Sequence, residues 1–152
     1  MEVFRLTNQQ FANSLSGKGA AIKGARWNSI GVEVIYTAAN RSLAMAEVAV
    51  HFTLATLPKN FMMVTINIPD EIEIYKLENS KLPANWNTFP HPQSTQKIVD
   101  QFVAENKYCV MQIPSVITKG DYNILINPKH PLFETIRIIE VEKFPFDKRV
   151  FA

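Results

Sequence analysis

A single carboxylate stands within a long uncharged stretch of the chain. Glu47 lies in the segment Arg41–Leu57, whose apolar spacing predicts a helix, and it is the only formally charged side chain after Arg41 there. Its face of the helix carries Leu43, Val50 and Leu54. The opposite face carries Met45, Val48, Ala49 and Phe52. We therefore expect a buried helix, in which Glu47 serves either a structural ion pair or chemistry.

Other residues suited to binding lie near predicted element boundaries, where sites usually occur. Arg26 and Trp27 follow a glycine-rich loop and precede a strand. Tyr36 lies near the end of that strand, and Ser115 follows the end of another. Each also has a structural interpretation: a surface arginine, a core tryptophan, a packed tyrosine and a turn serine. Taken singly, the structural interpretations are favoured.

Composition describes an ordinary globular domain. The chain has 152 residues, 47% hydrophobic and 20% charged, which suits one domain with a real core. Its net charge of +2 comes from interspersed residues, so no nucleic-acid partner is indicated. The single Cys109 excludes an internal disulfide and is expected to be a buried core thiol. Without a signal-like start or an apolar run of about 18 residues, a cytoplasmic protein is expected, with no membrane partner.

Several familiar motifs are absent from the sequence. Gly17, Gly19 and Gly24 do not form a dinucleotide-binding fingerprint, because no strand precedes them at the required spacing. The histidines, which lack a metal-ligand spacing, are His51, His91 and His130. We therefore expect no metal site. His130, within the segment Asn127–Pro131, is expected to stabilise a rigid turn.

Strands outnumber helices in the predicted structure. The predicted strands are Glu2–Leu6, Val32–Thr37, Phe61–Ile68, Ile72–Leu77, Tyr108–Ile113, Tyr122–Ile126 and Phe133–Phe144. The predicted helices are Gln9–Leu15, Arg41–Leu57 and Thr95–Asn106, and the predicted loops are Ser16–Ala25 and Glu78–Pro92. Asn40 or Ser42 is suited to cap the second helix, and Pro58 to end it. This mixture favours an α+β fold with a mixed β-sheet core.

Five motifs, in order along the chain, resemble the RES domain family, which is named for its Arg, Glu and Ser. They are Gly24–Glu47, Leu82-Pro-Ala-Asn-Trp86, Ser94-Thr-Gln96, Ile113-Pro-Ser115 and Tyr122–Pro131. The ending Phe146-Asp-Lys-Arg149 is also similar. The resemblance implies a single RES domain over residues 1–152, with a fold similar to that of ADP-ribosyltransferases.

The resemblance extends to individual residues. The family's arginine, strand tyrosine, glutamate and serine correspond to Arg26, Tyr36, Glu47 and Ser115. Two segments depart from the family. Ser29-Ile30-Gly31 replaces a turn that is proline-rich in many relatives, and Val99 precedes Asp100 where relatives often have a Gly-Asp pair. The second departure leaves the role of the segment Thr95–Phe102 open.

NAD⁺ is the substrate that the resemblance implies, with no further cofactor. Cleaving the nicotinamide–ribose bond passes through an oxocarbenium-like centre, and the cationic leaving group needs no general acid. Ionised Glu47 suits stabilisation of the developing charge, or orientation of the ribose hydroxyls and the nucleophile. Arg26 offers a planar fork to the pyrophosphate, and Tyr36 a ring for the nicotinamide. Ser115 can donate to a phosphate or to the carboxamide. Trp27 is also expected to bind the substrate.

The family resemblance also implies a toxin of a toxin–antitoxin pair, with an Xre-type antitoxin as partner. Consumption of NAD⁺ by hydrolysis or phosphorolysis is the expected reaction, and ADP-ribose transfer to a protein is the alternative within the same class. A non-catalytic nucleotide- or partner-binding module is the alternative from another class, and a homodimer stays open. Ser16–Gly24 is expected to be mobile, so that a partner lying over it would block NAD⁺ at Arg26.

Overall fold

A mixed seven-stranded sheet forms the centre of the computed structural model, which describes residues 1–151. Its strands in chain order are β1 (Glu2–Asn8), β2 (Ile35–Ala38), β3 (Phe61–Asn67), β4 (Ile74–Lys76), β5 (Val110–Pro114), β6 (Tyr122–Ile126) and β7 (Arg137–Lys143). Their spatial order is β4-β5-β6-β2-β1-β3-β7, and only the pair β4–β5 is parallel. The predicted α+β fold with a mixed sheet is confirmed.

Three α-helices accompany the sheet. They are α1 (Lys18–Lys23), α2 (Arg41–Ala49) and α3 (Gln93–Glu105). Short 3₁₀ segments lie at Gln9–Phe11, Asn79–Lys81, Pro131–Thr135 and Lys148–Phe151. Among residues 1–151, none of the helices has the length and apolar character needed to cross a membrane.

The two faces of the sheet bury different clusters. Residues that pair directly across strands share a face, so Tyr36 with Leu125 and Ala38 with Asn123 mark one face of β2 and β6. The helices α2 and α3 both pack on this face. The opposite face buries a separate aliphatic cluster that includes Val3, Ile35, Val64, Ile66, Val110, Ile124 and Ile126.

The two long helices cover different parts of their shared face. The α3 residues Val99 and Phe102 pack against Met111, Ile113 and Leu125 on β5 and β6. The α2 helix covers the strands β1, β2 and β3 through a second cluster. Its buried members are Phe4, Leu6, Ala38, Leu43, Ala44, Phe61 and Met63. The boundary between the region covered by α3 and the region covered by α2 therefore lies at the central strands β2 and β6.

Most predicted strands occur where expected, with small shifts at their ends. Tyr122–Ile126 has the predicted bounds. The long alternation predicted as Phe133–Phe144 is shorter, because Pro131–Thr135 forms a 3₁₀ turn and the strand begins at Arg137. Its exposed face is confirmed, since it is the edge strand β7. Cys109 is buried, as predicted, and burial raises the pKa of its thiol to about 11.

The glycine-rich segment Ser16–Ala25 was expected to be a loop, and this expectation is wrong. Residues Lys18–Lys23 form the helix α1, in which the amide of Ala21 donates to the Gly17 carbonyl at 3.1 Å. Alanine and lysine are good helix formers, and they outweigh the single internal Gly19.

The helix that contains Glu47 is shorter than predicted. It begins after Asn40, whose side chain caps the Leu43 amide as expected, but it ends at Ala49 and not at Pro58. Residues 50–57 form turns, in which the Thr53 amide donates to the Thr56 hydroxyl at 2.9 Å. Threonine side chains compete for backbone partners in this way, and they favour turns over helix.

Burial of α2 is also less complete than predicted. Only Leu43 and Ala44 are fully buried in the helix. Val50 and Leu54, which were expected to be buried on the same helix face as Glu47, are 59% and 52% exposed. The helix lies on the sheet surface with one side open, so a group on that open side can meet a ligand.

Candidate active site

Glu47 lies half-buried on α2, beside the central strands of the sheet. Burial raises the pKa of its carboxyl above the ordinary value, while the Asn123 amide and the positive charges of His51 and Arg26 act in the opposite direction. Among residues 1–151 Glu47 forms no salt bridge. The structural ion-pair interpretation is therefore wrong for this side chain, whose carboxylate has the Asn123 amide beside it but no cation of the described chain in direct contact.

Arg26 is the cation of the site. Its Nη1 donates to the carbonyls of Trp86 and Thr88, both at 2.8 Å. Burial lowers the pKa of the guanidinium and the charge of Glu47 raises it, so the two side chains interact electrostatically without a direct ion pair. Since only Nη1 has protein partners in the described chain, Nη2 and Nε are left to donate to an anion.

Gly24 sets the backbone direction between the end of α1 and Arg26. Gly24 ends α1 with φ +66°, a left-handed conformation that other residues adopt only with strain. A Cβ added there would lie 3.2 Å from the Ile30 side chain and 3.3 Å from the Asn28 carbonyl oxygen. The close return of the chain at Asn28 is thus possible because residue 24 has no side chain.

Asn28 organises the loop that carries Arg26. It is fully buried, and its Nδ2 donates to the carbonyls of Ala20 at 2.9 Å and Val32 at 3.0 Å. Its Oδ1 accepts a 2.6 Å hydrogen bond from the hydroxyl of Tyr36. The same hydroxyl accepts from the Trp27 amide at 3.3 Å. Tyr36 therefore ties this loop to strand β2.

Tyr36 also faces the charges of the site. Burial raises the pKa of its hydroxyl far above the ordinary value, with smaller contributions in the same direction from Asp100 and Glu47. Hydrogen bonding to the Trp27 backbone acts against this shift. The hydroxyl thus remains a neutral structural group. Its predicted role as a stacking partner for nicotinamide rests on the ring, which the hydroxyl holds in place.

Trp27 and Ser115 occupy structural positions. Trp27 is buried in the cluster under α3, and its ring centroid lies 6.3 Å from that of Trp86. Ser115 is buried at the end of β5, where its Oγ accepts from the amides of Ile117 at 3.1 Å and Thr118 at 3.0 Å. Because the oxygen accepts both bonds, its own proton can still be donated to a ligand. Direct contact with a substrate stays a prediction for both residues.

Two further residues belong to this site: Asn28, to which no role was assigned from the sequence despite its place beside Arg26, and Asn123, which the sequence did not single out. Asn28 holds the Arg26 loop, and Asn123 on β6 both donates to the Thr37 carbonyl at 3.3 Å and acts on the Glu47 carboxyl. A signal for Asn123 existed, because asparagine is unfavourable within an apolar strand such as Tyr122–Ile126. His130 instead stabilises a turn, as predicted, since its Nδ1 accepts from the Leu132 amide at 3.1 Å.

Comparison with known proteins identifies the family to which this chain belongs. The family model described as RES domain matches residues 2–147. The chain belongs to the RES domain family. Within this family, it is 36% identical over 143 residues to the Prs ADP-ribosylating toxin of Sphingobium sp. (strain YBL2). The aligned residues make up 91% of this chain and 88% of that protein.

Further relatives agree with the RES assignment. The Toxin Res of Yersinia enterocolitica is 31% identical over 152 residues, covering 99% of each chain. Among solved structures, a chain of the M. tuberculosis MbcT–MbcA toxin–antitoxin complex superposes with a TM-score of 0.70 at 17% identity, over 94% of this RES chain and 83% of that chain. At that identity the superposition shows a shared fold, while the curated relatives show that this RES domain is a homologue of toxins.

Proposed function

We propose that this RES domain is the toxin of a toxin–antitoxin pair, and that it consumes NAD⁺ by cleaving the nicotinamide–ribose bond. One observation carries the proposal: the Arg26 loop and the Glu47 helix both pack on strand β2, Arg26 keeps free donors, and the described chain gives Glu47 no ion pair. Each charge also acts on the pKa of the other group. A cation and an anion held apart suit a substrate that brings a pyrophosphate to one and a developing positive charge to the other.

The chemistry assigns separate tasks to these groups. The free donors of Arg26 hold the pyrophosphate, and the Tyr36 ring packs against the cationic nicotinamide. As the bond from the ribose C1′ to nicotinamide breaks, its electron pair leaves with the nicotinamide, which becomes neutral. The carboxylate of Glu47 stabilises the resulting oxocarbenium-like centre or orients the incoming nucleophile. Its partial burial strengthens this electrostatic effect.

Water or phosphate is the acceptor in the first form of the proposal, giving hydrolysis or phosphorolysis. A second candidate is transfer of ADP-ribose to a protein, and a specific finding favours considering it. The relative at 36% identity is named an ADP-ribosylating toxin. Both forms share the bond that breaks and differ only in the nucleophile that reaches C1′.

Restraint by an antitoxin completes the proposal, with the Xre type as the expected partner. The fold neighbour comes from a toxin–antitoxin complex, and further curated relatives carry the name Toxin Res. These names support a heteromeric partner for this chain. An enzyme that consumes a cofactor of its own cell requires such a restraint.

Product identification tests the proposal. The purified chain is incubated with NAD⁺ alone, with added phosphate, and with a cell lysate. Free ADP-ribose indicates hydrolysis, ADP-ribose phosphate indicates phosphorolysis, and a labelled protein indicates transfer. Unchanged NAD⁺ in all three incubations would favour a non-catalytic binding module. Glu47→Gln serves as the inactive control.

A further inference from the structure

The first half of α3 presents polar side chains to the loop that carries Arg26. Oγ1 of Thr95 donates to the Arg26 carbonyl at 2.6 Å. Nε2 of Gln96 donates to the Ala25 carbonyl at 2.9 Å and to the Asn28 carbonyl at 3.3 Å. Two neighbouring helix residues thus hold three carbonyl groups of the loop.

Asp100, one helical turn further along α3, holds the next loop residue. Its Oδ1 accepts from the Ser29 amide at 3.0 Å, and its Oδ2 accepts from the Ser29 hydroxyl. A carboxylate that receives two donors from one residue fixes both the position and the orientation of that residue. Together, Thr95, Gln96 and Asp100 form a polar clamp on residues 25–29.

The clamp has a rigid base. Val99 is fully buried and Phe102 nearly so, and both pack against the sheet from α3. Val99 occupies the position where a glycine was expected from the family, and it adds an apolar anchor beside Asp100. Within the loop itself, the only backbone bond is from the Ala25 amide to the Asn28 carbonyl at 3.0 Å. The α3 side chains therefore hold the loop from one side, while Tyr36 ties it to strand β2 on the other.

We infer that Thr95, Gln96 and Asp100 are positioning residues, which set the affinity for the dinucleotide by holding Arg26 at the anion site. This inference rests on the proposed function. Arginine has many rotamers, and a fork that must meet a pyrophosphate binds more tightly when its backbone is already fixed. On the loop, the clamp bonds only to backbone groups and to the Ser29 hydroxyl, so it acts through Arg26 and not on the reacting atoms.

Kinetics of Asp100→Ala test the inference. We expect KM for NAD⁺ to rise about tenfold, from the lost pair of hydrogen bonds, with kcat changed less than about twofold. Asp100→Asn keeps an acceptor for the Ser29 amide and should restore most of the affinity. Glu105→Ala is the matched control, because Glu105 lies on the same helix and accepts only from Gln101, at 2.7 Å. A fall in kcat with unchanged KM would overturn the inference.

A double substitution separates positioning from general stabilisation. In an Arg26→Ala background, Asp100→Ala should raise KM no further, because the residue through which it acts is gone. Equal multiplicative effects of Asp100→Ala in both backgrounds would overturn the inference. Thr95→Val, which removes a second part of the clamp with little change in shape, should show the same dependence on Arg26.

Hydrogen exchange provides a measurement that needs no activity. In Asp100→Ala, the amides of residues 25–29 should exchange faster, while those of residues 97–105 in α3 stay protected. Unchanged exchange in the loop would show that no clamp exists. If the wild-type chain did not consume NAD⁺, the proposed function would fail, and the exchange measurement would still decide whether α3 holds the loop.

Discussion

The hydroxyl of Tyr36 donates a 2.6 Å hydrogen bond to Oδ1 of Asn28, and so joins a central strand to the loop that carries Arg26. Asn28 has no exposed surface, and its Nδ2 is bound to backbone carbonyls on both sides of the loop. Removing the hydroxyl would leave a buried acceptor without a partner, and would release the Trp27 amide at the same time.

Tyr36→Phe should therefore weaken both the fold and substrate binding. We expect the free energy of unfolding to fall by about 1–3 kcal/mol and KM for NAD⁺ to rise, since the ring remains but the loop loosens. Denaturant unfolding and steady-state kinetics measure the two effects. Tyr122→Phe is a suitable control, because the hydroxyl of that exposed tyrosine makes no hydrogen bond in the described structure, where only its backbone groups do. Wild-type stability in Tyr36→Phe would contradict the assigned role of the hydroxyl.

Glu47→Gln should remove NAD⁺ turnover while preserving the fold. The amide keeps the shape of the side chain and loses the charge that faces the developing cation, so we expect kcat to fall by at least about a hundredfold. NAD⁺ loss is followed enzymatically, and folding by circular dichroism. Glu71→Gln, which changes an exposed carboxylate, should leave the rate unchanged. Persistent NAD⁺ consumption in Glu47→Gln would remove Glu47 from the mechanism.

The stability of the wild-type protein should depend on the protonation of Glu47. Burial raises the pKa of this carboxyl in the folded state, so between the unfolded and folded pKa values the folded chain binds more protons. The free energy of unfolding contributed by Glu47 then falls as pH rises through this window, and the loss persists at neutral pH.

Glu47→Gln lacks this titration and should unfold at a higher temperature than the wild type at pH 7. The difference should shrink as pH falls through the window between the folded and unfolded pKa values, and should be gone below the ordinary carboxyl pKa of about 4.3, where Glu47 is protonated in both states. Thermal unfolding at several pH values measures this gap. A wild type more stable than the variant at pH 7 would show that the ionised carboxylate has a stabilising partner.

Arg26→Lys should fold and bind NAD⁺ weakly. An ammonium group can meet the carbonyls of Trp86 and Thr88 or a phosphate, but it lacks the fork that serves both. We expect KM to rise about tenfold or more, with a smaller change in kcat. Arg149→Lys, at an exposed position, is the control. Full affinity in Arg26→Lys would show that diffuse positive charge suffices.

Antitoxin and NAD⁺ should compete for the chain. Exposed apolar side chains lie on the segments around Arg26: Ile22, Ile30 and Phe89, which are 73%, 74% and 93% exposed. A partner that covers them would close the approach to the guanidinium. Linkage requires NAD⁺ to weaken antitoxin binding by the factor by which the antitoxin weakens NAD⁺ binding. Titrating a cognate Xre-type antitoxin into Glu47→Gln, with and without NAD⁺, measures this factor. Equal affinities would place the antitoxin elsewhere.

The local pattern of the chain was enough to predict most elements. Alternation and β-branched residues predicted all seven strands, and the Asn40 cap and the α3 periodicity predicted two helix positions. Five motifs in order along the chain, of which Gly24–Glu47 is the longest, together suggested the family, because within each motif the residue types follow one another at close spacing. Such features depend on neighbouring residues, which the sequence records directly.

Tertiary structure decided which polar groups meet. Thr95 and Gln96 reach the backbone of Arg26 and its neighbours across about 70 positions of sequence, and no periodicity predicts that pairing. Residues 50–57 form turns and not helix, because turn hydrogen bonds and the solvent exposure of the apolar side chains there outweighed the helical pattern of the sequence. Glu47 is half-buried and without an ion pair because α2 covers only part of the sheet. These outcomes depend on long-range packing and desolvation, whose balance is settled only when the whole chain has folded.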